Sequence, residues 1–356
     1  MRIVDQKLEK VMHRKNLDAI LFWGLENIRY LSGFTGSDGA LIYTREGQIF
    51  LSDSRYTQQA QNETKNSDRH QYKQKLPGVA KALRSIRCRK IGFEANALTF
   101  ESYRVLREKL TRVSWVPLSS ELAGLRAVKD PEEIKKLGHA VQIASASFAK
   151  TLPQVKPGAQ ERKVAEFLEC QFRKRGGDKP AFDTIVASGF RAALPHGAAS
   201  PKRLQGGETV VIDFGTRFQG YHSDETKTLV IGKPDAKTKK IYEIVHRAQA
   251  KAMQTIRPGI SVRQIDAAAR EVIHKAGFGK YFGHGTGHGV GLAVHEDPAI
   301  SPHGKGLVEE GMVFTVEPGI YMPGWGGVRI EDMVRVTANG CELLTYLPKA
   351  LKDNII

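Results

Sequence analysis

The sequence predicts two domains, a smaller α/β domain followed by a larger α+β domain that carries an internal duplication. Three observations predict it. At 356 residues, the chain exceeds the roughly 250–300 residues at which a single hydrophobic core stops growing. Strand-like apolar runs alternate with helical periodicity in the first third. In the second half, Lys156-Pro-Gly-Ala-Gln-Glu-Arg-Lys-Val164 and Arg257-Pro-Gly-Ile-Ser-Val-Arg-Gln-Ile265 share a basic-Pro-Gly opening, then an arginine and an aliphatic residue at the same offsets.

The first domain opens on a helical pattern at Val4, Leu8, Val11 and Met12, followed by an apolar strand over 19–23. The glycine-spaced stretch 27–39 leads into strands over 40–43 and 48–51, and 91–93 and 113–118 read as further strands with a helix over 100–110 between them. The texture then changes: Asp130 is placed to cap a new helix, with Pro131 at its first position. The boundary is set near residue 122, giving domains 1–122 and 123–356. Each copy of the repeat follows a long helical stretch (134–152 and 241–256) and precedes another that closes at a glycine, Gly176 or Gly277. Both copies therefore read helix, Pro-Gly turn, helix, strands, and such a duplicated unit is expected to place its chemistry between its halves.

Composition narrows the function. With 41% hydrophobic and 26% charged residues, the chain falls in the globular range. No apolar run approaches the roughly 18 residues of a membrane span. The first residues carry charge and no apolar signal segment, so a cytoplasmic location is expected. Cys88, Cys170 and Cys341 show neither the number nor the spacing of a disulfide framework or a zinc ribbon. The net charge of +16 raises the question of nucleic acid, but the basic residues are spread along the chain, densest at 84–90 and 173–175, and no nucleic-acid or membrane partner is expected.

Chemistry concentrates in the second half. A β-branched strand ends on Asp213, and Asp224 follows eleven residues later beyond a Gln219-Gly220 turn. The two aspartates are expected to face each other across a hairpin. Buried together they would repel unless a positive group lay between them. The segment 284–295 then packs His284, His288 and His295 with four glycines into twelve positions; glycine permits positive φ and close backbone approach, and imidazole both ligates metals and moves protons near neutral pH. Glu317 closes an apolar strand before a Pro-Gly turn, and Glu331 repeats the device two residues after Arg329. A salt bridge to Arg329 accounts for one buried glutamate, but not for both together with two aspartates. Carboxylates with one imidazole suit Mn, Co, Zn or Fe, and two such ions side by side polarise a carbonyl while generating a nucleophile from water.

These motifs resemble the pita-bread metallopeptidases that include methionine aminopeptidase, aminopeptidase P and prolidase. The likeness spans essentially the whole chain. It implies that Asp213, Asp224, His288, Glu317 and Glu331 hold two divalent metal ions, with Mn expected first and Co, Zn or Fe as alternatives. His288 is chosen over His284 because the family's ligand lies seven residues before the histidine of Val-His-Glu, here His295. By the same resemblance His196, His284 and His295 contact substrate, His196 and His295 act in catalysis, Glu317 doubles as the proton shuttle, and Arg329 orients Glu331 from behind. Residues 30–39 and 53–56 resemble the creatinase-like N-terminal domain of the proline-specific members. The implied activity is hydrolysis next to proline, with proline-containing peptides as substrates and a homodimer as the assembly. The Gly-Phe-Thr-Gly-Ser motif at 33–37 tilts the expectation toward a Xaa-Pro aminopeptidase, with Xaa-Pro dipeptidase (prolidase) as the alternative and a non-catalytic binding module as a third reading.

Overall fold

The computed structural model describes residues 3–64 and 66–356; Met1 and Arg2, which open the segment read above for a signal peptide, lie outside the described residues, as does Lys65. By internal contacts the chain divides after Arg126 into two units.

In the first unit the elements run α1 (Ile3–Lys15), β1 (Ala19–Phe22), α2 (Leu25–Ser32), β2 (Ala40–Thr44), β3 (Gln48–Ser52), α3 (Thr57–Glu63), β4 (Ser67–Gln71), α4 (Lys75–Ser85), β5 (Lys90–Glu94), α5 (Phe100–Lys109) and β6 (Ser114–Leu118). Its strands form one mixed sheet in the order β4-β3-β2-β1-β5-β6. Side chains alternate across a strand, so β1 feeds two cores. Ile20 and Phe22 pack with Leu8, Met12 and Phe50, while Ala19 and Leu21 pack with Val79, Leu83 and Leu106. Burial on both faces explains why β1 reads as an unbroken apolar run. The glycine-spaced stretch is not all loop: its first part belongs to α2, which buries Ile28 and Leu31 and ends at Gly33, where φ is 86°. A left-handed residue in that place is the common glycine stop of a helix.

In the second unit α6 (Pro131–Thr151), α7 (Glu161–Lys174), β7 (Lys179–Pro180), β8 (Ile185–Ser188), β9 (Thr209–Phe214), β10 (Thr216–Phe218), β11 (Tyr221–His222) and β12 (Glu225–Val230) form the first half. The second half is α8 (Ala236–Thr255), α9 (Val262–Lys275), β13 (Gly287–Gly289), β14 (Glu296–Ile300), β15 (Val313–Val316), β16 (Gly319–Met322), β17 (Gly326–Arg329), β18 (Asp332–Val336) and β19 (Cys341–Leu343). Asp130 caps α6 through a capping box with Glu133, with Pro131 in the first turn. The repeat is visible in the backbone. Gly158 and Gly259 both have φ of 85°, and Gly176 and Gly277 have 87° and 86°. The Gly158 N–H donates to Leu204 O and the Gly259 N–H to Val308 O, both at 2.9 Å.

The two halves contribute sheets β12-β9-β8 and β14-β13-β15-β18-β19. Helices α6 and α7 pack Phe148, Leu168 and Phe172 against Val210, Ile212 and Phe214. Helices α8 and α9 pack Val245, Ile265 and Ala269 against Phe314, Val316 and Val334. Because side chains alternate, the residues between these, Asp213 on β9 and Thr315 on β15, face away from the helices. That helix-free face holds the site.

Candidate metal centre

Asp213 and Asp224 do not meet directly across a simple hairpin. In the antiparallel register Asp213 lies opposite Thr226 and Phe214 opposite Glu225, so Asp224 is the diagonal neighbour on the same face, just before β12 begins. The expected turn exists, with φ of 47° at Gln219 and 83° at Gly220, but it joins the small strands β10 and β11. Ten residues between the aspartates exceed a two-residue hairpin loop, and the surplus folds into its own ribbon.

The expected side chains converge. A cavity of about 480 Å³ is lined by His196, Asp213, Asp224, His284, His288, His295, Glu317, Arg329 and Glu331, with Phe182, Ile185, Pro195 and Ala198 among its apolar walls. One ligand atom from each of Asp224, His288 and Glu331 lies within 4.8 Å of the others, a spacing that one cation can span. His288 Nδ1 lies 3.1 Å from Gly289 O; a carbonyl only accepts, so Nδ1 carries the proton and Nε2 presents its lone pair. That Nε2 sits 3.6 Å from Asp224 Oδ2 and 3.4 Å from Glu317 Oε1, too far for good hydrogen bonds. Asp213 Oδ1 is buried with no hydrogen-bond partner in the structure. Buried polar atoms of this kind are rare, and a hard cation is the partner this donor set suits.

Electrostatics point the same way. Burial first, and then repulsion from Glu331 and Asp213, raises the Asp224 carboxyl well above its ordinary range. Burial followed by Glu317 and Asp213 does the same to Glu331, and burial raises Glu317. Burial lowers His288, so the imidazole is neutral and free to ligate. Without added positive charge these carboxylates crowd one another, and among the described residues Arg329 supplies the one buried guanidinium that lines their cavity.

Arg329 was expected to orient Glu331, but its direct ion pair is with Asp213. Nη2 donates to Asp213 Oδ2 at 2.6 Å, Nη1 to Pro195 O and to the Tyr321 hydroxyl, both at 3.0 Å, and Nε to Thr226 Oγ1 at 3.0 Å. Glu331 is reached only through Thr226, whose hydroxyl donates to Glu331 Oε2 at 2.7 Å. The guanidinium fork spans the sheet to the carboxylate of the other half, which a two-residue offset along one strand does not reveal. Although burial works against its charge, Tyr321, Asp213 and Glu317 hold Arg329 protonated.

The histidines take different stations. His284 Nδ1 contacts Gly285 O at 2.6 Å, and Nε2 meets the Tyr321 hydroxyl at 2.9 Å. The chain of donors therefore runs from Arg329 through Tyr321 to a neutral His284, whose charge burial disfavours. His295 is exposed at the rim with its ring 4.3 Å from that of His288. The next residue, Glu296, is paired at 2.9 Å with the buried Lys129. His196 is also exposed at the rim. The loop that carries His284 and His288 is held from α9. Asp266 Oδ1 accepts from Thr286 N and Oγ1, and Arg270 Nη2 donates to His284 O. The loop glycines serve close packing, and their φ values are not positive: a Cβ on Gly287 would stand 1.9 Å from Thr315 O, and one on Gly289 2.1 Å from Asp297 O. Tyr321, Thr226 and the Asp266–Arg270 pair were not anticipated. Asp266 and Arg270 are spaced for an i,i+4 pair, but nothing linear connects them to the loop.

Residues 135–338, more than half of the chain, match the model of metallopeptidase family M24, and residues 6–128 match the creatinase/prolidase N-terminal domain. The chain belongs to metallopeptidase family M24: it is a divalent-metal-dependent hydrolase with a pita-bread catalytic domain that follows a creatinase-like N-terminal domain in the sequence. Among its relatives is the Xaa-Pro dipeptidase of Pyrococcus horikoshii, 38% identical over 99% of this chain and 100% of that protein. Among solved structures, the Xaa-Pro dipeptidase from Bacillus anthracis covers 99% of both chains at 40% identity with a TM-score of 0.95. The X-Pro aminopeptidase from Thermotoga maritima covers 97% of this chain and 99% of its own at 37% identity, with a TM-score of 0.87. Among the described residues no helix is long and apolar enough to cross a membrane.

Proposed function

We propose that the protein is a Xaa-Pro dipeptidase whose centre is held by Asp213, Asp224, His288, Glu317 and Glu331. The observation that carries the metal assignment is the unpartnered, buried Asp213 Oδ1 in a cavity shared with the other four side chains. Two divalent ions, Mn before Co, Zn or Fe, suit this set of four carboxylates and one imidazole. When bound, they supply an electrostatic field that polarises a carbonyl and lowers the pKa of water.

The residues of the chain provide the rest. Arg329 and Tyr321 fix Asp213 and His284. Glu317, whose protonated form burial favours, accepts a proton at its carboxylate and returns it to the departing proline nitrogen, which must be protonated to leave as an amine. His196 and His295, on the rim, donate hydrogen bonds to the oxygen that gains charge as the carbonyl is attacked. A Xaa-Pro bond lacks an N–H to recognise, so shape must identify proline, and Phe182, Ile185, Pro195 and Ala198 offer apolar walls for its ring.

The dipeptidase form is supported by end-to-end similarity to proteins bearing that name. The tilt toward an aminopeptidase rested on the motif at 33–37, and its structural role is local. Gly33 ends α2, Gly36 lies under Phe34 and Tyr56, and Ser37 Oγ lies 2.7 Å from the Tyr56 hydroxyl. Packing of this kind says nothing of peptide length. Domains 1–122 and 123–356, a homodimer and a cytoplasmic location complete the proposal. The test is hydrolysis of a Xaa-Pro dipeptide and of a pentapeptide with proline second, by metal-depleted protein and after addition of Mn. Cleavage of the dipeptide alone, only with metal, is expected. Efficient cleavage of the pentapeptide makes the protein an aminopeptidase, and activity on neither returns the binding-module reading.

A further inference from the structure

Asp224 and Glu331 come from different halves of the duplicated unit, and each is followed by a second acidic residue. Alternation along the strands turns Glu225 and Asp332 to the opposite face, toward the helices, where charge is not expected. Both are buried, at 1% and 2% exposure. One ammonium joins them. Lys349 Nζ lies 2.5 Å from Glu225 Oε1 and 3.2 Å from Asp332 Oδ1.

The bridge is fully built. Asp332 Oδ1 also accepts from Thr345 Oγ1 at 2.6 Å, and Oδ2 from Gln249 Nε2 of α8 at 2.9 Å. Ser145 of α6 approaches Glu225 Oε2 at 3.5 Å. The Lys349 carbonyl accepts from the Tyr242 hydroxyl at 2.9 Å, which anchors the backbone that delivers the ammonium. Thr345 is bonded in turn to the backbone just after Asp332, accepting from Met333 N at 3.1 Å, and Met333 Sδ receives Asp224 N at 3.2 Å.

We propose that Lys349 is a positioning residue for the metal centre: by joining Glu225 to Asp332 on the helix side, it sets the separation of Asp224 and Glu331 on the cavity side. The inference rests on the metal-site reading above. A buried ion triad is a poor source of stability compared with apolar packing, because desolvation offsets most of the attraction. What it provides here is registration. No strand pairing joins β12 to β18 directly; the two belong to different sheets. Glu331 N donates to Thr226 O at a long 3.3 Å. On the cavity side the seam is crossed by the Thr226 hydroxyl, which donates to Glu331 and accepts from Arg329 Nε, and on the helix side the ion pairs that cross it come from one lysine of the C-terminal segment.

The test compares wild-type protein with Lys349→Met, which keeps the length and removes the charge, and with Lys349→Arg, which restores it. Each is depleted of metal and titrated with Co(II) and Mn(II), and the visible spectrum of the Co(II) form is recorded alongside thermal unfolding of the depleted protein. Metal affinity of Lys349→Met is expected to fall about 10- to 100-fold, the range for residues that orient ligands from behind, with an altered Co(II) spectrum and recovery of both in Lys349→Arg. Wild-type affinity and spectrum in Lys349→Met overturn the proposal, even if its unfolding temperature is lower. If that variant does not fold, the Lys349→Met/Glu225→Gln/Asp332→Asn protein, in which all three positions are uncharged, decides by the same readouts: weakened binding supports the role and wild-type binding overturns it. Asp224→Ala separates the two readings. If it binds metal like wild type, the metal site itself is wrong; if it loses metal while Lys349→Met does not, only the role of Lys349 fails.

Discussion

Replacing Arg329 by methionine tests the electrostatic frame of the site in the absence of metal. The guanidinium is 3% exposed and Asp213 14%, paired at 2.6 Å. Removing one partner of a buried pair costs about 3–5 kcal/mol, because the other charge is left uncompensated. Methionine fills much of the vacated volume, so a cavity adds little. For a unit of this size about 1 kcal/mol shifts Tm by roughly 2–4 °C, which gives a drop of about 6–20 °C for the catalytic unit. Calorimetry of metal-depleted protein at pH 7 measures it. A cycle with Asp213→Asn isolates the pair. The double variant is expected to recover about 2 kcal/mol or more of the loss, since the orphaned carboxylate is gone. Arg329→Lys keeps the charge without the fork that reaches Asp213, Pro195 and Tyr321 together, and is expected to fall between wild type and Arg329→Met. If Arg329→Met melts within about 2 °C of wild type, a shift smaller than about 1 kcal/mol, the assignment of Arg329 as the electrostatic anchor is refuted.

Three further outcomes follow from the same geometry. Asp224→Ala should abolish metal-dependent hydrolysis, weakening metal binding by more than the roughly 10- to 100-fold of an outer contact while circular dichroism stays near wild type; an active variant rejects the metal assignment. His196→Ala, at the exposed rim, should lower kcat by about 10²-fold with metal stoichiometry unchanged, and loss of bound metal would place His196 among the ligands instead. In metal-depleted protein the raised carboxyls of Asp224, Glu317 and Glu331 make the folded state bind more protons than the unfolded one. Stability should therefore fall as pH rises from about 4, the unfolded carboxyl value, through the higher folded values. Denaturant titrations across pH 4–8 check this, and stability that rises with pH over that window contradicts the crowding described here. Bound divalent metal should flatten or reverse the slope, because ligation requires the ionised form.

Much of this protein was legible in the linear sequence wherever the physics is local. Asp130 and Pro131 announce the start of α6, because capping and proline's fixed φ act within one turn. The paired Pro-Gly motifs announce the duplication, since each glycine must adopt the same left-handed turn. The carboxylates and imidazoles of the centre were visible as polar residues set in apolar strands or packed among glycines, and alternation placed Asp213 opposite the core-facing Val210 and Ile212 in principle. The helix α2 was hidden because its apolar contacts, Ile28 and Leu31, give a short stripe inside a glycine-rich segment. What tertiary structure alone decided were the pairings across distance: Arg329 on Asp213 instead of Glu331, Asp213 facing Thr226, Tyr321 linking Arg329 to His284, and Lys349 binding Glu225 to Asp332. Each joins segments from separate strands, helices or tails, where partner choice depends on how two sheets are brought together and not on the spacing of residues along either one.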